Sequence, residues 1–110
     1  MTLKPITDRA EVALDFPDKA YMGSFGRASA FEVRTDAEGA MLRLVRTGEE
    51  KRIVELHLHW YLLADILTEL GRVLSAQEIA APHRAAIQEA AAALRTALAA
   101  SGEAGSAASG

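Results

Sequence analysis

Cysteine is absent from this 110-residue sequence, so disulfide bonds and thiolate metal ligands are both excluded. Aromatic residues are few as well, at 5% of the chain, and there is a single tryptophan. The longest strongly apolar run, residues 60–64, is far shorter than the roughly 20 residues that a membrane-spanning helix needs. The N-terminal residues lack the apolar core of a secretory signal. These absences predict a small cytoplasmic domain.

An excess of positive charge is also missing. Twelve Lys and Arg residues stand against fifteen Asp and Glu residues, which gives a formal net charge of −3. Broad, charge-driven binding to nucleic acid or to an anionic membrane needs clustered cations, so this balance argues against it. Residues 27–52 are locally more basic, with six basic and five acidic side chains. The charge pattern therefore allows a small basic face on a sheet and nothing larger.

Alternating apolar residues predict a series of short strands over about residues 11–58. The predicted strands are 11–16, 19–25, 28–35, 40–46 and 51–58. Short connections between consecutive strands favour an antiparallel meander of four to five strands. The loop Asp36-Ala37-Glu38-Gly39 is a strong hairpin signal, because Asp starts turns and Gly can adopt a positive φ at their end.

After residue 58 the period changes from that of a strand to that of a helix. Apolar side chains then recur at helical spacing over about residues 59–74, which predicts an amphipathic helix packed on the sheet. Pro82 suits the first turn of a second, Ala-rich helix over about residues 82–100. Residues 101–110 have the composition of a flexible tail. The sequence thus predicts one α+β domain over residues 1–100.

The first predicted helix is apolar over more than half of its girth. Trp60, Tyr61 and Leu62 widen its apolar surface beyond a single stripe. A helix of this kind often has two partners, here the sheet and a second helix or subunit. We therefore expect a homodimer, joined through the sheet edge or through the region from Trp60 to Leu63.

Glu55, His57 and His59 form the pattern that comes nearest to a metal site. They stand two residues apart on a predicted strand, so their side chains face the same way. Two imidazoles can hold Zn²⁺, but a stable site needs three or four ligands. The alternative, which we favour, is that the histidines are half-buried polar residues packed beside Trp60. We therefore expect no metal, no cofactor and no enzymatic activity.

Cationic and aromatic residues of the predicted sheet are the candidates for nucleic-acid binding. They are Arg34, Arg43, Arg46, Lys51, Arg52 and Tyr21. Aromatic platforms with flanking cations are how many proteins hold single strands. The alternative is that these are solvated strand positions, which pair with Glu32 and Glu55 across the ladder.

Five segments carry a resemblance to a known group of domains. They are FEVRT, DAEG, AMLRLVR, KRIVELHL and WYLLADILTEL. Four antiparallel strands followed by a helix resemble the PC4, Whirly and Pur-alpha group of single-stranded nucleic-acid-binding domains, and residues 28–74 look like one Pur-type repeat. The resemblance implies that helices cover one sheet face, that two units pair, and that the open face takes DNA or RNA. The segment LDFPDKAYMGSFGR is also similar to a bacterial family, a resemblance that implies no chemistry.

Three functional hypotheses follow, and each has a structural consequence. A non-enzymatic single-stranded nucleic-acid-binding regulator requires Arg34, Arg43 and Arg46 to share an exposed face with an aromatic residue. A homodimeric protein–protein interaction or structural module requires an exposed apolar stripe on residues 87–98 and a mixed-charge sheet face. A metal-dependent enzyme requires a pocket with a further ligand beside Glu55, His57 and His59. The sequence supports the first two hypotheses almost equally and the metal-dependent enzyme much less.

Overall fold

Six strands followed by two helices make up the computed structural model, which describes residues 3–48 and 50–109 and their side chains as far as residue 101. The strands are β1 (Lys4–Pro5), β2 (Ala10–Phe16), β3 (Lys19–Phe25), β4 (Ser29–Thr35), β5 (Gly39–Arg46) and β6 (Arg52–His59). The helices are α1 (Trp60–Ser75) and α2 (Ala81–Ser109). The fold class is therefore α+β, as the sequence predicts.

Antiparallel pairing divides the strands between a four-stranded sheet, in the order β1-β4-β5-β6, and a separate β2-β3 hairpin. The sequence predicts one continuous meander, and the structure departs from it where β3 leads into β4. A turn closed by the N–H of Ser29 donating to the Gly26 carbonyl (2.8 Å) joins these two strands, which do not pair. Strand β1 pairs with β4 instead, through Lys4 and Pro5. A two-residue strand is too short to show periodicity, so the sequence pattern cannot reveal it.

The β2-β3 hairpin lies over one face of the sheet. Phe25, at the end of β3, is completely buried and is the largest fully buried side chain of the described chain. Residues 10–14 of β2 line a groove of about 430 Å³ together with side chains from β5 and β6. The hairpin therefore contributes to the core and covers part of the sheet.

The pairing register sorts the sheet residues into two chemically different faces. One, called here the charged face, carries Glu32, Arg34, Arg43 and Glu55, with Glu32, Arg43 and Glu55 in one row across three strands. The opposite face, called here the apolar face, carries two apolar rows across the same strands. They are Val33–Leu42–Leu56 and Phe31–Leu44–Val54.

Helix α1 begins at the residue after β6 ends, since His59 is the last strand residue and Trp60 the first helical one. Its position agrees with the change of period in the sequence. Its packing differs from the prediction, because none of its sixteen residues is buried within the chain. Connections that reverse the chain direction usually contain a few loop residues. None lies between β6 and α1, so the helix does not fold back over the sheet that precedes it.

Helix α2 contains Pro82 in its first turn, as predicted, and runs to Ser109. The backbone is thus helical over residues 101–109, where the composition predicts a flexible tail; alanine, frequent there, is the strongest helix former. By its internal contacts the chain divides into two compact units, Met1–Glu69 and Leu70–Gly110. The single domain over residues 1–100 stays a prediction. Over the described part of the chain, neither helix combines the length and apolarity that crossing a membrane demands.

Candidate interaction surfaces

The charged face holds a four-residue ion-pair network. Arg43 Nε lies 3.1 Å from Glu55 Oε1, and Arg43 Nη1 lies 3.8 Å from Glu32 Oε1. Arg34 contacts the same two glutamates, at 3.5 Å from Glu32 and 4.0 Å from Glu55. The Glu32 side chain is only 8% exposed, whereas that of Glu55 is 42% exposed. Two cations and two anions cancel here, so the face is mixed in charge rather than cationic.

Arg46 lies on the other side of the sheet. It is three residues from Arg43 on the same strand, and an odd separation turns its side chain to the opposite face. The register places it directly across from Arg52, on the apolar face. The expectation that Arg34, Arg43 and Arg46 share one exposed face is therefore wrong.

Tyr21 joins Arg52 rather than the arginines of the charged face. The guanidinium carbon of Arg52 lies 5.8 Å from the centre of the Tyr21 ring, within cation–π range. Arg52 also pairs with Glu50, at 2.8 Å between Nη2 and Oε2. Lys51 is exposed in the loop just before β6. Of the six residues proposed to bind nucleic acid, the structure thus brings Tyr21, Arg46 and Arg52 towards one end of the apolar face.

Glu55, His57 and His59 share the charged face, but different partners engage them. Glu55 is bound by Arg43, and His57 Nε2 lies 3.3 Å from the Asp36 carboxylate. The rings of His57 and His59 are tilted, with their centres 4.9 Å apart. Within the described residues, no group of three or more His, Cys, Asp or Glu side chains is placed to hold a metal ion.

Asp36, which the sequence identifies only as a turn residue, organises the loop between β4 and β5. Its Oδ1 accepts hydrogen bonds from the backbone N–H groups of Glu38 and Gly39, both at 2.9 Å. These two bonds, helped by the nearby His57, lower the pKa of the Asp36 carboxyl from its ordinary value. Sequence reasoning missed the contact with His57, because the two residues are 21 positions apart and only strand pairing brings them together.

The same loop holds the start of α1. The backbone N–H of Trp60 donates to the Glu38 carbonyl (3.2 Å), and its indole N–H donates to the Ala37 carbonyl (3.1 Å). At Gly39 the loop also comes close to the backbone of β6, because a Cβ at this position would overlap the Leu58 carbonyl oxygen. Its φ is not positive, so its role is space beside β6 rather than the turn conformation that the sequence suggests.

Most of the apolar stripe of α1 is exposed, although Leu63 and Leu74 are half-buried. Its exposed large side chains are Trp60, Tyr61, Leu62, Ile66, Leu67, Leu70 and Val73. Tyr61 is 90% exposed, and the others are between 39% and 51% exposed. Helix α2 also exposes the apolar residues of its predicted stripe, namely Ile87, Leu94 and Leu98. Within the described residues, both helices therefore present partly exposed apolar side chains.

Comparison with protein-family models, with curated proteins and with solved structures gave no match to this chain. The functional argument therefore depends on the surfaces themselves. They consist of an exposed apolar helix, a neutralised charged face, and a sheet face whose apolar rows end near two arginines.

Proposed function

We propose that this chain is a homodimeric protein–protein interaction or structural module, and that α1 supplies its main contact surface. The observation that carries the proposal is that α1 has a wide apolar stripe and no buried residue. A helix in a protein gains most of its stability by packing an amphipathic face, so this one needs a partner. Monomeric soluble proteins rarely expose contiguous apolar patches above a few hundred Å².

Two further observations support this function. The apolar stripe of α2 over residues 87–98 is exposed, and the sheet carries a mixed-charge face. Both are the consequences that an interaction module requires. The proposal includes no catalytic step and no cofactor, and the cytoplasmic location suggested by the sequence remains part of it.

Sedimentation of the full chain across a concentration series tests the proposal. We expect the wild-type protein to be a dimer and Leu67→Glu to shift it to monomer, because the new carboxylate would have to be buried. Thr68→Glu is the matched control: it adds the same charge one residue away, on the polar side of α1. A wild-type monomer throughout, or equal dissociation of both variants, would exclude α1 as a dimer contact.

A second candidate function is single-stranded nucleic-acid binding of the PC4 or Pur type. The observation that favours it is the grouping of Tyr21, Arg46 and Arg52, since an aromatic ring beside cations can stack a base and hold a phosphate. Arg34 and Arg43 support it less, because Glu32 and Glu55 already neutralise them.

Fluorescence anisotropy with labelled single-stranded DNA and RNA, at about 50 and 200 mM salt, tests this candidate. Binding should weaken steeply with salt, because neutralised phosphates release counterions. Arg46→Ala should weaken it further, whereas Arg95→Ala removes the same charge from α2 and should not. Absence of binding at the lower salt concentration would reject nucleic-acid binding and leave the interaction module.

A further inference from the structure

We infer that the two copies of the homodimer join through strand β6, whose free edge pairs antiparallel with β6 of the second copy. This inference rests on the homodimer proposed above and adds a strand contact to that of α1. Trp60 follows His59 directly, so the edge of β6 and the first turn of α1 are adjacent on the surface. Pairing of this kind merges the two four-stranded sheets into one continuous sheet.

The two edges of the four-stranded sheet end in different ways. At one edge lies β1, which consists only of Lys4 and Pro5 and pairs with β4. Very short edge strands and proline are among the features that keep natural sheets from pairing with other chains. At the other edge lies β6, which has eight residues and contains neither proline nor glycine. No described strand pairs with its outer side, so the sheet is protected at β1 and open at β6.

The hydrogen-bonding pattern identifies the main-chain groups that are open on β6. The N–H of Trp60 donates to the Glu38 carbonyl (3.2 Å), which extends the β5–β6 register one residue beyond the pair of Gly39 and His59. Along an antiparallel ladder, residues bonded to the partner strand alternate with residues whose N–H and C=O groups point away from it. The even-numbered residues of β6 therefore bond to β5, and the odd-numbered ones direct their main-chain groups outwards. These are Ile53, Glu55, His57 and His59.

The charged side chains of β6 leave the centre of this edge free to pair. Charged residues on an edge strand normally oppose pairing with another chain. Glu55 is the only acidic residue of β6, and it is already neutralised by Arg43 at 3.1 Å and by Arg34 at 4.0 Å. Arg52 lies at the first position of the strand and pairs with Glu50 at 2.8 Å. Residues 53–59 therefore carry no uncompensated carboxylate.

Side-chain complementarity selects one register for the two strands. A two-fold axis beside Leu56 places this residue opposite Leu56 of the second copy, and it places Val54 opposite the second copy's Leu58. On the charged face, the same register places Glu55 opposite the second copy's His57, so that an imidazole N–H can donate to a carboxylate. Moving the axis to Glu55 would set two carboxylates directly opposite each other, which is destabilising. The second copy is therefore a complementary partner for this edge.

The same register uses the whole open edge. It pairs Ile53 with His59 of the second copy and Glu55 with His57, each combination occurring twice, which gives about eight main-chain hydrogen bonds. It also joins the apolar rows of the two sheets at Leu56, which is 53% exposed in the single copy. Cross-strand contacts between apolar side chains stabilise such a pair. Strand pairing thus satisfies the open main-chain groups and covers apolar surface at once.

A symmetric disulfide tests this register, because the chain contains no cysteine and each introduced thiol is unique. In a non-hydrogen-bonded antiparallel pair the Cα atoms are about 4.5 Å apart, which a disulfide can span. Leu56→Cys should therefore form a disulfide-linked dimer on mild oxidation. Val54→Cys is the register control, since the two thiols would lie about 13 Å apart along the strands. Met22→Cys, at a position that is 83% exposed on β3, measures random collision.

We expect about tenfold more disulfide-linked dimer with Leu56→Cys than with either control, since a disulfide requires this close approach. Circular dichroism checks that each variant folds. Preferential cross-linking of Val54→Cys would overturn the register centred on Leu56. A yield from Leu56→Cys no higher than that from Met22→Cys would overturn pairing through β6.

A main-chain test uses two substitutions at Ile53. Proline removes the outward N–H and leaves the hydrogen bonds to β5 in place, whereas alanine shortens the side chain and keeps the N–H. We expect Ile53→Pro to raise the dissociation constant of the dimer, measured by sedimentation, about tenfold over that of Ile53→Ala. Equal dissociation constants would contradict main-chain pairing at this edge.

Failure of the strand pairing is distinguishable from failure of the homodimer. A wild-type dimer that lacks the Leu56→Cys disulfide overturns pairing through β6 and leaves the homodimer standing. A wild-type monomer throughout the concentration series overturns both. The contribution of α1 is measured separately, by the comparison of Leu67→Glu with Thr68→Glu.

Discussion

Replacing Glu32 by glutamine tests whether the ion-pair network of the charged face contributes to stability through burial. Glu32 on β4 and Glu55 on β6 contact the same two arginines, Arg34 on β4 and Arg43 on β5. They differ in environment, since the Glu32 side chain is 8% exposed and the Glu55 side chain is 42% exposed. Glutamine keeps the size of the side chain and removes its charge, so the same substitution at both positions isolates the effect of burial.

The expected loss at Glu32 lies below that of a fully buried pair. Removing one partner of a buried ion pair typically costs about 3–5 kcal/mol. Arg34 and Arg43 keep about a third of their side-chain surface in water, so they are partly rehydrated when Glu32 loses its charge. We therefore expect Glu32→Gln to lower the free energy of unfolding by about 1–3 kcal/mol. Glu55→Gln should lower the free energy of unfolding by about 0.2–1 kcal/mol, which is the usual contribution of an exposed ion pair.

Urea unfolding followed by the fluorescence of Trp60, the single tryptophan, is the assay. Protein concentration must be held fixed, because the stability of a dimer depends on it. Added salt should reduce the loss caused by Glu55→Gln more than the loss caused by Glu32→Gln, since exposed charges are screened more strongly. Equal losses for the two variants, or a smaller loss at Glu32, would refute the argument that burial strengthens this network.

Two further substitutions test the loop that holds α1. Gly39→Ala should lower the free energy of unfolding by about 3 kcal/mol, because the new Cβ would overlap the Leu58 carbonyl. Gly26→Ala is the control: the nearest atoms to its new Cβ are 4.0 Å away, so its free energy of unfolding should change by less than about 0.5 kcal/mol. A Gly39→Ala variant as stable as the wild type in urea unfolding would contradict the close approach to β6. The lowered pKa of Asp36 means that its carboxylate contributes stability that is complete above about pH 4 and is lost as pH falls through the lowered pKa. Asp36→Asn should therefore flatten the acid limb of a stability–pH profile in that range, with Asp65→Asn as the charge-matched control, and unchanged limbs would contradict the assignment.

Local pattern was sufficient for most of the elements, but not for the two-residue strand β1 or for the end of α2. The period of two located strands β2 to β6, and the change of period located the start of α1 to within one residue. The Asp36 loop was also predictable, because turn chemistry acts over four consecutive residues. These features depend on neighbours in the chain, which is why the sequence reveals them.

The surfaces were predictable only in part. The alternation along β5 already separates Arg43 from Arg46, so grouping them on one face was an avoidable error. The pairing of Arg34 and Arg43 with Glu32 and Glu55 was one of two alternatives on the sequence, and the register selected it.

What the sequence by itself determined is therefore the type and approximate position of strands β2 to β6, of α1 and of the start of α2, since backbone periodicity and turn preferences are short-range properties. Tertiary structure decided that β1 rather than β3 borders β4, that Asp36 meets His57, and that α1 leaves its sheet without covering it. Each of these depends on contacts between residues far apart in the chain. Such contacts depend on which whole elements pack against each other, and the periodicity of the sequence does not show which of the possible packings is the most stable.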